Sequence, residues 1–206
     1  MLYLFLGFVT AIIGALPLGA SNIAVINTTL KHNLKVALRI AVTAGIAEVI
    51  LSVYALNYNM MVKEFFSTNQ WLQILIALLL LGIGGFLFFK KNKASSDKKT
   101  KVVFKSHYFN GFFLGLLNPP VLVYWLLVYG MINSNVAMLT IKSSLTVLLL
   151  FFSGVYLGKV ITLYFYGKFS LYLQVKFSNI NGVINKLTGS MLFTVGVFQF
   201  LKLYFI

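Results

Sequence analysis

Apolar residues run in long blocks along this chain, and the polar residues gather between the blocks instead of alternating with them. A helix needs about 20 mostly apolar residues to cross the roughly 30 Å of a bilayer's hydrocarbon. Six blocks meet that length. Span 1 runs from Leu2 to Ile26, and no charged side chain occurs before Lys31. Span 2 covers Ala37 to Tyr58, with Arg39 near its start and Glu48 near its middle; span 3 covers Asn69 to Phe89. Span 4 covers Tyr108 to Met131, span 5 Ser143 to Tyr166 with Lys159 inside it, and span 6 Leu187 to Ile206. Lys202 lies near the end of span 6 and can snorkel outward. A cleavable signal wants its basic residues before the apolar core, so span 1 reads as a retained helix.

Between the blocks, Lys90 to His107 forms a Lys- and Ser-rich polar linker, and Lys168 to Lys186 mixes Lys, Asn and Gln with apolar residues as an interfacial loop or surface helix does. The chain therefore divides into a first three-helix half, 1–89, a basic loop, 90–107, and a second three-helix half, 108–206.

Composition agrees with the pattern. Hydrophobic residues make up 60% of the 206, charged residues 10%, and mean hydropathy is +0.92. Soluble domains carry about 25% charged residues, so too little polar surface is available to coat a globule in water. The net charge of +14 would suggest nucleic acid in a soluble protein, but its distribution points elsewhere. Lys31, Lys35, Arg39, the seven lysines of the 90–107 loop, Lys168, Lys176 and Lys186 share one face, whereas Lys63, Lys142 and Lys202 share the other. Basic loops stay in the cytoplasm. Both termini are thus expected outside it, with the basic rim on an anionic lipid leaflet and no nucleic-acid partner.

Spans 1 and 4 resemble each other. GFVTAIIGALPLGASN from Gly7 to Asn22 and NGFFLGLLNPP from Asn110 to Pro120 both open on Gly-Phe and reach a proline in a cluster of small and polar residues; all three prolines fall here. Three spans per half is an odd number, so the second half enters the membrane in the opposite sense. The expected fold is all-α and integral to the membrane, six helices in a 3+3 inverted repeat, with helices 1 and 4 broken at the prolines. Matching Gly- or Pro-interrupted segments point to a transporter's central site. Pro17 lacks an N–H and crowds the Ile13 carbonyl, and Pro119 and Pro120 do the same to Gly115 and Leu116. Ser21 or Asn22 suits the cap of a new half-helix, and Asn118 before Pro119 is a cap and first-turn pair. Such N-termini favour an anionic group.

These features resemble the LysE/RhtB family of small amino-acid exporters, over nearly the whole chain. Leu117-Asn118-Pro119 matches the family's Leu-Asn-Pro motif in span 4. Pro17-Leu18-Gly19, continuing to Asn22, stands where the family carries Pro-Gly-Pro, which marks a divergent branch. The resemblance implies gradient-driven export of small amino acids or their relatives from a bacterial plasma membrane, usually coupled to protons. The substrate-site set is Pro17, Gly19, Ser21, Asn22, Asn118, Pro119 and Glu48.

Glu48 is the single carboxylate within a span, about thirteen residues or roughly 20 Å of helix from Lys35. Ionisable groups at this depth face a bundle interior or cavity. Glu48 suits a substrate ammonium or the coupling proton, or a structural pair with Lys159, Ser52 or Tyr54. Lys159 is the second coupling candidate.

Gly111/Gly115 and Gly154/Gly158 read as GxxxG helix contacts, and Gly82, Gly84 and Gly85 as packing or softening positions in span 3. Cysteine is absent, which excludes thiolate sites, and His32 and His107 flank span ends far from paired carboxylates, so neither a metal nor a cofactor is expected. An intramembrane enzyme needs a nucleophile with its base inside the membrane, and neither histidine lies in a span. A carrier for ions or other small solutes, and a non-transporting assembly subunit, stay open; a homodimer is compatible with either.

Overall fold

Backbone N–H and C=O groups find no water in hydrocarbon, so apolar blocks like these close their hydrogen bonds within helices. The computed structural model describes residues 1–17, 19–89, 106–136, 138–176, 190, 193–194, 196–197 and 201. Among them are α1 (Leu2–Ala15), α2 (Ala20–Lys31), α3 (Leu34–Thr68), α4 (Gln70–Phe89), α5 (His107–Leu116), α6 (Pro119–Asn135) and α7 (Leu145–Lys176). Most of the basic loop with Asp97, the Phe177–Lys186 stretch and most of span 6 lie outside the described residues.

Two helices are each long and apolar enough to cross a membrane, over Leu34–Tyr58 and Leu145–Tyr172. Two further spans arise if each bent pair counts as one: α1 with α2, bent by 75°, and α5 with α6, bent by 55°. These correspond to spans 2, 5, 1 and 4. Span 3 corresponds to the 20-residue α4.

Two boundaries differ from expectation. Helix α3 continues past Tyr58 through Lys63 and Glu64, which the sequence pattern assigns to a loop, and ends at Thr68. No Gly or Pro follows Gly45 in this helix, and Met, Lys and Glu are good helix formers, so lost hydrophobicity does not end it. Its start is fixed by Asn33, whose Oδ1 accepts the Val36 N–H at 2.9 Å. Likewise α7 carries span 5 on to Lys176, taking in the first part of the expected interfacial segment.

Met1–Met60 with Lys99–Lys176 form one compact unit, and Met61–Lys98 with Phe177–Ile206 form a second. In the second unit, a side chain on Gly196 would come 2.9 Å from Leu81 of α4, whereas Gly82 and Gly85 have open space beside them. Those two glycines are therefore not sites of close packing among the described residues.

The first unit is organised by two glycine-mediated helix contacts. A side chain on Gly7 would strike the Phe151 carbonyl, one on Gly154 the Leu4 carbonyl, and one on Gly158 would come 2.9 Å from Ala11 Cβ. Gly154 faces Leu4 and Phe8 whereas Gly158, one turn on, faces Phe8 and Ala11, so α1 and α7 run in the same direction. On α5, a side chain on Gly111 would strike Thr43 and the Ile40 carbonyl, and one on Gly115 would come 2.8 Å from Ala47 Cβ. Helices α5 and α3 thus also run in the same direction.

These two contacts correspond residue by residue. Gly7 stands to Phe151 as Gly111 stands to Ile40, and Ala11 to Gly158 as Gly115 to Ala47. One residue beyond Ala47 and Gly158 are Glu48 and Lys159. The core around them contains Ala11, Val121, Trp125, Tyr129, Phe151 and Val155, with a second cluster of Ala24, Val25, Ala37, Ile40, Ala41, Ala44 and Leu163. Outside, Phe5, Ile46, Ile50, Leu149, Leu157 and Phe165 are exposed, an apolar exterior suited to lipid and not to water.

Replacing Gly111 by Val should overpack the α3–α5 contact and destabilise the protein by about 1–3 kcal/mol or more. Gly82→Ala should leave stability unchanged or slightly raised. Fluorescence-detected size-exclusion chromatography after a heating series in detergent reads both, and an unshifted Gly111→Val profile would contradict the packing.

Candidate functional site

Helix α1 stops at Ala15 because Pro17 cannot continue its hydrogen bonding. The Leu16 N–H still reaches the Ile12 and Ile13 carbonyls at 3.1 and 3.3 Å, so the Ile13 oxygen keeps a donor. The acceptors released by the break lie slightly later. Asn22 Nδ2 donates to the Ala15 carbonyl at 2.7 Å and to the Pro17 carbonyl at 3.4 Å. Tyr166 of α7 donates its hydroxyl to the Leu16 carbonyl at 2.6 Å.

The residue capping α2 is Gly19, in extended conformation at φ −84°, ψ 177°, with no side-chain cap bond. Neither Ser21 nor Asn22 occupies the cap; both sit in the first turn and both are buried. Asn22 turns its amide back to the end of α1, where a strong acceptor needs it more than the helix start does. Ser21 Oγ has no hydrogen-bond partner among the described residues.

At the second break, α5 ends at Leu116 and Asn118 is the N-cap of α6, with Pro119 and Pro120 in the first helical turn. The proline N–H groups would have been unpaired there in any case. The Asn118 side chain makes no cap bond; its Nδ2 lies beside the first break, 3.2 Å from where a Gly19 Cβ would stand. A larger residue at Gly19 would separate them.

The two discontinuities therefore meet at their helix N-caps. The partial positive ends of α2 and α6 and the Asn118 amide converge, an arrangement chemically suited to a carboxylate or similar anion. Helix α6 contributes its dipole but few N–H donors, because two of its first residues are prolines.

Glu48 and Lys159 meet in the core. Lys159 Nζ lies 3.0 Å from Glu48 Oε2, with the two side chains 4% and 1% exposed. The other carboxylate oxygen accepts the Trp125 indole N–H at 3.0 Å. Ser52 is bonded to the Tyr129 hydroxyl at 2.5 Å. Tyr124, the residue before Trp125, donates to the Thr10 carbonyl at 2.5 Å and ties α6 to α1.

Trp125, Tyr129, Tyr124 and Tyr166 were not apparent as site residues from the sequence. Their signal is an apolar ring bearing one polar atom within a span, which in hydrocarbon must find a partner. At the helix ends, His32 and His107 pack edge to face with centroids 5.6 Å apart, and the Arg39 guanidinium lies 5.8 Å from the Tyr108 ring centre.

Lipid-suited outer faces, two helix pairs broken at proline and a charge pair sealed in the core describe an integral membrane protein. The family comparison specifies which kind: the chain belongs to the LysE type translocator family, whose sequence model matches residues 12–202. Comparison with curated proteins and with solved structures gives no match.

Removing one member of a buried ion pair costs about 3–5 kcal/mol, whereas replacing both with apolar residues is often neutral. Glu48→Met and Lys159→Met should each lower the melting temperature in detergent. The double variant should melt above either single, and additive losses would contradict mutual dependence.

Proposed function

We propose that this protein is a secondary transporter that exports small amino acids or related metabolites by alternating access, coupled to protons. The observation that carries the reading is the convergence of the Gly19 and Asn118 caps, where two helix N-termini and an amide donor meet. A substrate carboxylate binds there, between Pro17, Gly19, Ser21 and Asn22 on one side and Asn118 and Pro119 on the other. The Ala15 and Leu16 carbonyls, which now accept from Asn22 and Tyr166, are the acceptors that a substrate ammonium takes over.

Six spans in a 3+3 inverted repeat account for the corresponding glycine contacts, because exchanging the halves carries α1 on α7 into α5 on α3. Under that exchange Glu48 and Lys159 change places, which puts their pair where the halves cross. Protonation of Glu48 removes the counter-charge of Lys159 and loosens that crossing, so the pair links proton uptake to rocking of the halves. The protein lies in a bacterial plasma membrane with its termini outside and its basic loops on the cytoplasmic anionic leaflet.

The test is flux of a radiolabelled amino-acid mixture in liposomes holding the purified protein, with and without an imposed pH gradient. Wild-type flux should follow the gradient, and Glu48→Gln should lose that dependence. Asn118→Ala should slow flux about tenfold or more, the effect of losing one hydrogen bond of about 1.5–3 kcal/mol to a charged group. Unchanged gradient dependence in Glu48→Gln would refute the coupling role.

A further inference from the structure

Hydroxyl side chains on a helix in apolar surroundings commonly donate back to a carbonyl three or four residues earlier. Thr10, Thr43, Thr162 and Ser170 do this, to the Leu6, Arg39, Gly158 and Gly167 carbonyls respectively. Ser21 and Thr29 of α2 do not. They are 1% and 2% exposed, and neither hydroxyl has a hydrogen-bond partner among the described residues.

The two lie about two helical turns apart and share one face of α2, with Val25 between them. That face is turned toward α7. A side chain on Gly167 would come 3.0 Å from Thr29 Oγ1 and 3.4 Å from Val25 Cγ1. Ser170, one turn beyond Gly167, is also buried. One end of the seam reaches the broken part of span 1, where Tyr166 holds the Leu16 carbonyl. The other end reaches exposed Lys31 and Lys168, neighbours of the basic rim.

An apolar seam would seal these helices with less penalty than one containing two hydroxyls that find no partner when it is shut. In a seam that opens, water or a polar solute supplies the missing partners. We propose that the α2–α7 seam is the hydroxyl-lined route by which small polar solutes pass between the cytoplasmic face and the broken part of span 1, and that this structure holds it closed. The proposal rests on the transport reading above and adds the route to it.

The absence of native cysteine makes the route directly testable. Ser21→Cys and Thr29→Cys are exposed to a cationic, membrane-impermeant methanethiosulfonate in inverted vesicles. Ile23→Cys, at a position 38% exposed on the outer surface of α2, reports a lipid-facing thiol, and Lys31→Cys an aqueous one. Both seam variants should react about tenfold or more faster than Ile23→Cys, since the thiolate that reacts forms in water-accessible surroundings. Separately, Thr29→Cys with Gly167→Cys is cross-linked with copper phenanthroline; flux of the radiolabelled amino-acid mixture should stop and return with dithiothreitol.

Seam thiols no faster than Ile23→Cys, where Lys31→Cys reacts, would overturn the route, as would full flux through the cross-linked protein. Fast labelling without amino-acid flux in the wild type would support hydration of the seam while refuting the transport reading.

Discussion

The Glu48–Lys159 pair is the interaction on which the first unit depends. An ionised side chain at the centre of a bilayer costs at least about 2.5–3.5 kcal/mol on insertion scales, so neither residue is tolerable there alone. Each lies on the middle of a long helix, and together they oblige α3 and α7 to meet at one point. The Trp125 indole fills the second acceptor position on Glu48 and brings α6 to the same place. Hydrophobic burial cannot perform this selection in lipid, where tails are as apolar as leucine side chains; specific polar contacts and close packing must set the register.

Close packing supplies the rest of the arrangement. Gly7, Gly154 and Gly158 let α1 lie against the backbone of α7, and Gly111 and Gly115 let α5 lie against α3. Both glycine-lined half-helices stop at the breaks, α1 at Ala15 just before Pro17 and α5 at Leu116 just before the Asn118 cap and the prolines that open α6. The elements are thus rigid and tightly held up to the point where backbone groups are released. The carbonyls released at the first break are held by side chains, Asn22 and Tyr166, and not by a continuing helix, and membership of the LysE type translocator family gives that arrangement its setting.

Much of this was legible in the residues. Apolar blocks gave the helices corresponding to spans 1 to 5, and the prolines marked both breaks because a missing N–H acts through local geometry that no distant contact alters. The glycine pairs on α5 and α7 announced close approach, although their partners could not be named. Less legible were matters of competition. Asn22 is a good cap residue by type, yet its amide goes to the Ala15 carbonyl, which the break had left with greater need. Sequence left the Glu48 partner open between Lys159, Ser52 and Tyr54; Tyr129 takes Ser52, and that choice depends on how α6 packs. The extension of α3 to Thr68 was hidden because hydropathy falls before helix propensity does.

A charge-reversal cycle at the core tests the account most directly. Glu48→Lys alone and Lys159→Glu alone each place two like charges together in hydrocarbon, and each should lower the melting temperature of the purified protein sharply. Because the two side chains meet each other and little else that is charged, the swapped double variant should recover most of that loss, short of wild type by the bond Trp125 gives to Glu48. A double variant that melts no higher than the less stable single would contradict the claim that this pair fixes where the helices cross.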